Sequence, residues 1–151
     1  MSQPTPPWSR VEGTLMAVAR SVRRAYDAAF AEIDINLSEA SVLAHLADGG
    51  ALSQVELARR VGTGRARVGV HIDSLEAKGA VRRDADPDDR RVWLVSLEPL
   101  GFDLWQRSVD ADRALRKELR AGTTQEERAA LDAALTRIRD NAEAFLARAD
   151  R

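Results

Sequence analysis

Three observations predict a mainly α-helical fold carrying one small β-hairpin for this 151-residue chain. Apolar residues recur at three- and four-residue steps over most of its length. Two short helical segments meet at a glycine-containing turn, Gly62-Thr63-Gly64. A β-branched and aromatic run, VWLVSL, follows a charged stretch built around a proline, RRDADPDDRR, as expected of a strand entered from a tight turn.

Taken in order, Pro4, Pro6 and Pro7 predict a short extended arm, and Ser9 with Glu12 reads as a capping box that opens the first helix. Val11, Leu15, Val18, Val22, Tyr26, Ala29 and Ile33 form one apolar stripe along it, so it needs partners over its whole length. Asn36 and Ser38 interrupt the chain, and Val42, Leu43, Leu46 and Ala47 predict a second helix stopped by Gly49-Gly50. Ser53 and Glu56 read as another capping box, opening a compact helix that Gly62 ends. RARVGVHIDSLEAKG then places Val68, Ile72 and Leu75 on one face, with Gly79 as the stop.

Residues 80–85 and 91–97 are the strand candidates, joined through Asp86-Pro87-Asp88, where proline presets φ and aspartate bonds its own backbone. Glu98-Pro99 restarts a helix through Phe102, Trp105, Val109, Leu115 and Leu119 towards Gly122. Thr124 with Glu127 caps a last helix, whose Leu131, Leu135, Ile138, Ala142, Phe145 and Ala149 step by four and three. That seam suits a bundle between subunits.

The length fits a single domain, 1–151, and a domain of this size buries about 68 to 70% of its extended surface. Having no cysteine excludes disulfides, thiolate metal sites and a cysteine nucleophile. No apolar run approaches a membrane span and the N-terminus lacks signal-peptide regions, so a cytoplasmic protein with no membrane partner is expected. The net charge of −1 gives no global sign of nucleic acid. Between Arg59 and Arg91, however, nine bases stand against six acids, a local +3 that leaves −4 elsewhere.

A helix-turn-helix followed directly by a charged hairpin has the order of a winged helix. LSQVELARRVG, DSLEAKGAV and RRDADPDDRRVWLVSL together resemble the MarR family of winged-helix transcriptional regulators, in motif detail over residues 36–102. The resemblance implies a homodimer that binds double-stranded DNA at a pseudo-palindromic operator, with residues 8–35 and 98–150 as dimerisation helices and 36–97 as the DNA-binding lobe. It also implies a repressor released by a small aromatic effector. The family's Asp-x-Arg wing pattern falls on Asp89 and Arg91, which implies that Arg91 enters the minor groove while Asp89 steadies it.

The physics agrees, since a narrow minor groove concentrates negative potential and a nearby carboxylate limits the entropy an arginine loses. Arg90 is then placed for phosphate. With Val68, Ile72 and Leu75 inward, the groove face of the recognition helix should carry Arg67, Val70, His71 and Ser74. Arg67 can pair with guanine, and Arg65 near the helix start with phosphate.

Two departures bear on this. Ala66, Gly69 and Val70 stand where relatives often have small hydroxyl residues and an arginine, so base preference does not transfer. Gly69 costs about 1 kcal/mol of helix propensity against alanine, and either close approach to DNA or neutral substitution accounts for it. Glu98 stands where a threonine cap is common.

Other features point nowhere. His45 and His71 lack the spacing of a metal pair, Gly62-Thr63-Gly64-Arg65 is not a Walker loop, and Asp86, Asp88 and Asp89 lack the register of a calcium loop. No catalytic constellation is present, so neither an enzyme nor a cofactor is expected. Trp8, Trp93 and Trp105 read first as packing residues. Trp105 and Phe102, with Met16 and His45 as neighbours, are the candidates for holding an aromatic effector. A winged-helix protein-interaction module without specific DNA binding is the alternative from another class.

Overall fold

The computed structural model describes residues 10–149. The expected arm, Trp8 and the Ser9 cap lie outside them. Nine elements follow in order: α1 Val11–Ala31, α2 Leu37–Gly49, β1 Leu52–Ser53, α3 Gln54–Val61, α4 Arg65–Ala77, β2 Val81–Ala85, β3 Trp93–Leu97, α5 Pro99–Leu119 and α6 Gln125–Ala149. The chain divides into two compact units, residues 1–115 and 116–151, so the division falls inside α5.

In the first unit the helix-turn-helix forms the centre of the core. Leu43, Leu57, Ile72, Leu75, Val42, Val68 and Val95 are its largest fully buried side chains, drawn from α2, α3, α4 and β3. Burying each stabilises the fold by about 1.5 to 3 kcal/mol. The strands form one antiparallel sheet in the order β1-β3-β2, with Leu52 opposite Val95, Val81 opposite Leu97 and Ala85 opposite Trp93. The sheet therefore has a third strand, β1, beyond the expected hairpin. Two residues carry no readable alternation.

Capping differs from expectation in detail. Arg10 occupies the N-cap of α1 and makes no side-chain cap bond. Asn36 and Glu39 form a complete reciprocal box at α2, a pairing the sequence reading passed over. At α3 only half the box exists: Ser53 Oγ accepts from the Glu56 amide, while the Glu56 carboxylate turns to Arg59 and Arg60. Those two guanidiniums hold the Glu56 carboxyl below its usual range.

Gly62, with φ 72°, ends α3 in the left-handed region that glycine enters freely. The Glu98 amide donates to the Ala80 carbonyl at 2.9 Å, and Pro99 opens α5 as expected. The buried residues of α5 are Gly101, Leu104 and Ser108. In the second unit, the Thr124 hydroxyl accepts from the Glu127 amide while the Glu127 carboxylate accepts from the Thr124 amide, the full predicted box. No residue of α6 is buried.

Candidate nucleic-acid interface

Helix α4 is anchored on one face and open on the other. Val68, Ile72 and Leu75 are fully buried, which turns Ala66, Arg67, Val70, Asp73 and Ala77 outward. Val70 is 64% exposed, and His71 and Ser74 lie half-buried on the flank. Of the four predicted groove-facing residues, Arg67 and Val70 are thus fully presented. Gly69 is buried on the other side, where an added Cβ would stand 2.7 Å from the Gln54 amide nitrogen. Its small size admits Gln54, whose amide donates to the Arg65 carbonyl at 3.0 Å. The neighbour it accommodates is a side chain of this lobe.

The position of α4 is also set from its C-terminal end. Lys78 donates to the carbonyl of Asp34 at 2.5 Å and pairs with the buried Glu39 at 3.2 Å, tying the end of α4 to the start of α2.

Asp73, one of the six acids counted between Arg59 and Arg91, stands on the outward face, a position not expected for it. Arg83 of β2 reaches it at 2.5 Å and also pairs with Glu76. Burial works to lower the Arg83 pKa, but the bonds from Asp73 and Glu76 outweigh it and the guanidinium stands above its ordinary value. One arginine therefore holds two carboxylates that would repel phosphate and offsets one of their two charges. The three-residue spacing of Asp73 and Glu76 marks them as neighbours on one helix face, but nothing local identifies Arg83 as their partner.

The hairpin tip takes the predicted geometry. The Asp86 carboxylate accepts from the Asp88 amide at 2.8 Å, an Asx-turn, and backbone bonds from Asp86 to Val92 and from Val92 to Asp89 close the loop. Asp89 accepts from the Arg91 amide at 3.1 Å and from its guanidinium at 3.0 and 3.2 Å. Those bonds, the guanidinium first and the amide second, hold the Asp89 carboxyl below the usual range. Arg91 is still 90% exposed, oriented at its base and open at its end. Among the described residues, Arg65, Arg67 and Arg90 make no ion pair.

Arg65 and Arg91, 26 positions apart, line one groove between the wing and the start of the helix-turn-helix. Ser53, Gln54, Val55, Val92 and Trp93 complete its walls. Arg67, Val70, His71, Ser74 and Arg90 lie outside it.

A second concavity, of about 450 Å³, opens among α1, α2 and α5 within the first unit, lined by Tyr26, Phe30, Ala40, Trp105, Ser108 and Asp112 among others. The Tyr26 hydroxyl donates to Asp112 at 2.8 Å, and the Tyr26 and Phe30 rings stand 5.6 Å apart at 52°. Of the four residues expected around an effector, Trp105 lines this pocket. Met16, His45 and Phe102 do not, and Met16 and Phe102 are exposed. No group of three or more metal-ligating side chains occurs among the described residues.

Comparison with known proteins agrees with this geometry. The model of the MarR family matches residues 33–92. YdgJ of Bacillus subtilis, an uncharacterised helix-turn-helix-type transcriptional regulator, is 34% identical over 107 residues, 71% of this chain. The match spans 65% of that relative's length, just under two thirds. The structure of Bordetella bronchiseptica BpsR, whose DNA binding is regulated by 6-hydroxynicotinic acid, is similar with a TM-score of 0.83 at 25% identity, covering 91% of this chain and 99% of BpsR. A MarR variant from E. coli in complex with operator DNA shares the fold, with a TM-score of 0.82 at 22% identity over 89% of this chain and 99% of its own. The chain belongs to the MarR family of winged-helix regulators.

Proposed function

We propose that this chain is a cytoplasmic transcriptional repressor that binds a pseudo-palindromic operator in double-stranded DNA as a homodimer and leaves it when a small aromatic effector binds. The observation that carries the DNA reading is the groove shared by Arg65 and the Asp89-held Arg91, beside the open face of α4 with Arg67. A guanidinium oriented before binding loses less entropy on contact, and a narrow minor groove attracts it. Arg67 is the candidate for base readout and Arg90 for phosphate. His71 and Ser74, on the flank of α4, border that contact.

Titration of the full chain against operator and scrambled duplex at two salt concentrations tests this. Operator should bind tighter, and both affinities should fall steeply with salt as counterions are recaptured. Equal affinity for both, or no binding, favours the interaction-module alternative.

Dimerisation through residues 8–35 and 98–150 is supported by apolar surface that each unit leaves uncovered: Val11 and Val18 on α1, and Leu131 and Phe145 on α6, the last 62% exposed. The effector reading is supported by the Trp105 pocket and by the regulation of BpsR by a hydroxylated aromatic acid. No described helix is long and apolar enough to cross a membrane.

A further inference from the structure

Trp93 is 57% exposed although it opens the central strand of the sheet, two residues before Val95, which is 1% exposed. The DNA-reading residues leave it unused, and it packs no core. Its indole lines the groove that holds Arg65 and Arg91, together with Val92 and the exposed Val55. Among the described residues, no acidic side chain lines that groove. Its walls thus alternate apolar surface with two guanidiniums, one held from behind by Asp89.

A ligand complementary to this pattern alternates anionic and apolar groups along its length. A nucleic-acid backbone does so, phosphate by deoxyribose. We propose that the groove seats one strand of duplex DNA, with Trp93 packed on a deoxyribose and Arg65 on an adjacent phosphate. This rests on the DNA-binding reading above and adds to it a contact that is blind to sequence and independent of charge. A second copy of this chain would meet the same two cations without a compensating acid in the groove, so DNA fits better.

The two kinds of contact separate in their salt dependence. A phosphate contact releases a counterion, so its loss lowers the slope of log K against log salt by about 0.9. An apolar contact releases none. The full chain and its Trp93→Ala, Trp93→Phe and Arg65→Ala variants would be titrated against operator and scrambled duplexes at several salt concentrations.

Trp93→Ala should weaken both duplexes by about tenfold with the salt slope unchanged, because roughly 1.4 kcal/mol of apolar contact is lost. Trp93→Phe should recover most of that loss, and Arg65→Ala should lower the slope by about one. In a Trp8→Phe/Trp105→Phe background, where Trp93 is the sole indole, duplex should shift its emission to the blue as water is excluded.

Parent-like binding by Trp93→Ala with an unmoved emission overturns the groove contact and leaves the regulator reading intact. Loss confined to operator makes Trp93 a base reader, and altered self-association without altered DNA binding makes the occupant a second copy; each overturns the proposal. A parent chain that binds no duplex overturns both readings.

Discussion

Replacing Gly101 by alanine should destabilise the protein, although propensity alone predicts the reverse. Gly101 lies in the first turn of α5, where alanine gains at most about 1 kcal/mol over glycine. A Cβ there would lie far inside van der Waals contact of the Ala80 carbonyl oxygen and 3.0 Å from a Leu97 methyl. Ala80 is fully buried and its oxygen accepts from the Glu98 amide at 2.9 Å. A rigid backbone group must therefore move or its hydrogen bond must lengthen.

Overpacking costs about 1 to 3 kcal/mol, and a buried acceptor deprived of its donor costs about 1 to 3 kcal/mol. After the propensity gain, a net loss of about 3 kcal/mol remains. For a chain of this size that lowers Tm by roughly 6 to 12 °C. Thermal and urea unfolding of parent and Gly101→Ala at equal protein concentration measure it, the concentration being fixed because self-association would shift apparent stability. A variant as stable as the parent would refute the reasoning, since the contact would then yield at no cost.

Gly69→Ala, also within a helix, should change stability by less than about 0.5 kcal/mol, because the atom it meets is the end of the flexible Gln54 side chain and the propensity gain offsets the displaced bond. A loss above about 2 kcal/mol by urea unfolding would show that Gln54 cannot swing aside. Arg83→Gln should weaken operator and scrambled duplex alike by about tenfold at low salt, by exposing Asp73 and Glu76, and adding Asp73→Asn should restore part of the loss if the two residues are coupled.

The Asp89 carboxyl, depressed by Arg91, keeps the pair intact at neutral pH and releases it only as pH falls through that lowered value; a carboxyl-carbon NMR titration should find its midpoint below the ordinary range, and Arg91→Ala should raise it only part of the way back, because the backbone amide of residue 91 still donates to it. Leu135→Asp should turn a dimer into monomers at low concentration by placing a charge on the α6 seam, and sedimentation that still finds a dimer would move the interface elsewhere.

Local chemistry was legible in the sequence and remote packing was not. The Asx-turn at Asp86, the fork from Asp89 to Arg91 and the box from Thr124 to Glu127 each depend on residues two or three apart, and each was expected. Asn36 and Glu39 obey the same spacing rule, so that box was readable and simply overlooked. Glu56 had a competing offer from Arg59 and Arg60 on its own helix, which a rule about caps does not weigh.

The residues expected around an effector were scattered for a different reason: Trp105 lines the pocket, while Met16 and Phe102 are exposed. Hydropathy puts Phe102 and Trp105 at the start of the α5 stripe, whereas the buried residues of the helix are Gly101, Leu104 and Ser108. The small residue at 101 permits a close approach to Ala80 and Leu97 that a larger one forbids. Apolar content alone therefore puts Phe102 on the inward face, where it is not, while Trp105 packs against the core and lines the pocket.

The same distinction bears on the proposed DNA-binding surface in a chain of net charge −1. Most charge in RRDADPDDRR is balanced within the lobe: Arg82 pairs with Asp84 and Glu98, Arg83 with Asp73 and Glu76, and Arg91 with Asp89. Asp86 is spent on the turn. None of these acids lines the groove, where Arg91 keeps its outer end open, and among the described residues Arg65, Arg67 and Arg90 stay free to meet phosphate or base. Screening limits the reach of an exposed charge to about 8 Å at physiological salt, so the net charge of the whole chain does not set the potential at the groove. For the proposed operator contact the relevant quantity is the number of guanidiniums without a committed carboxylate on one face, and no sum over the chain reports that number.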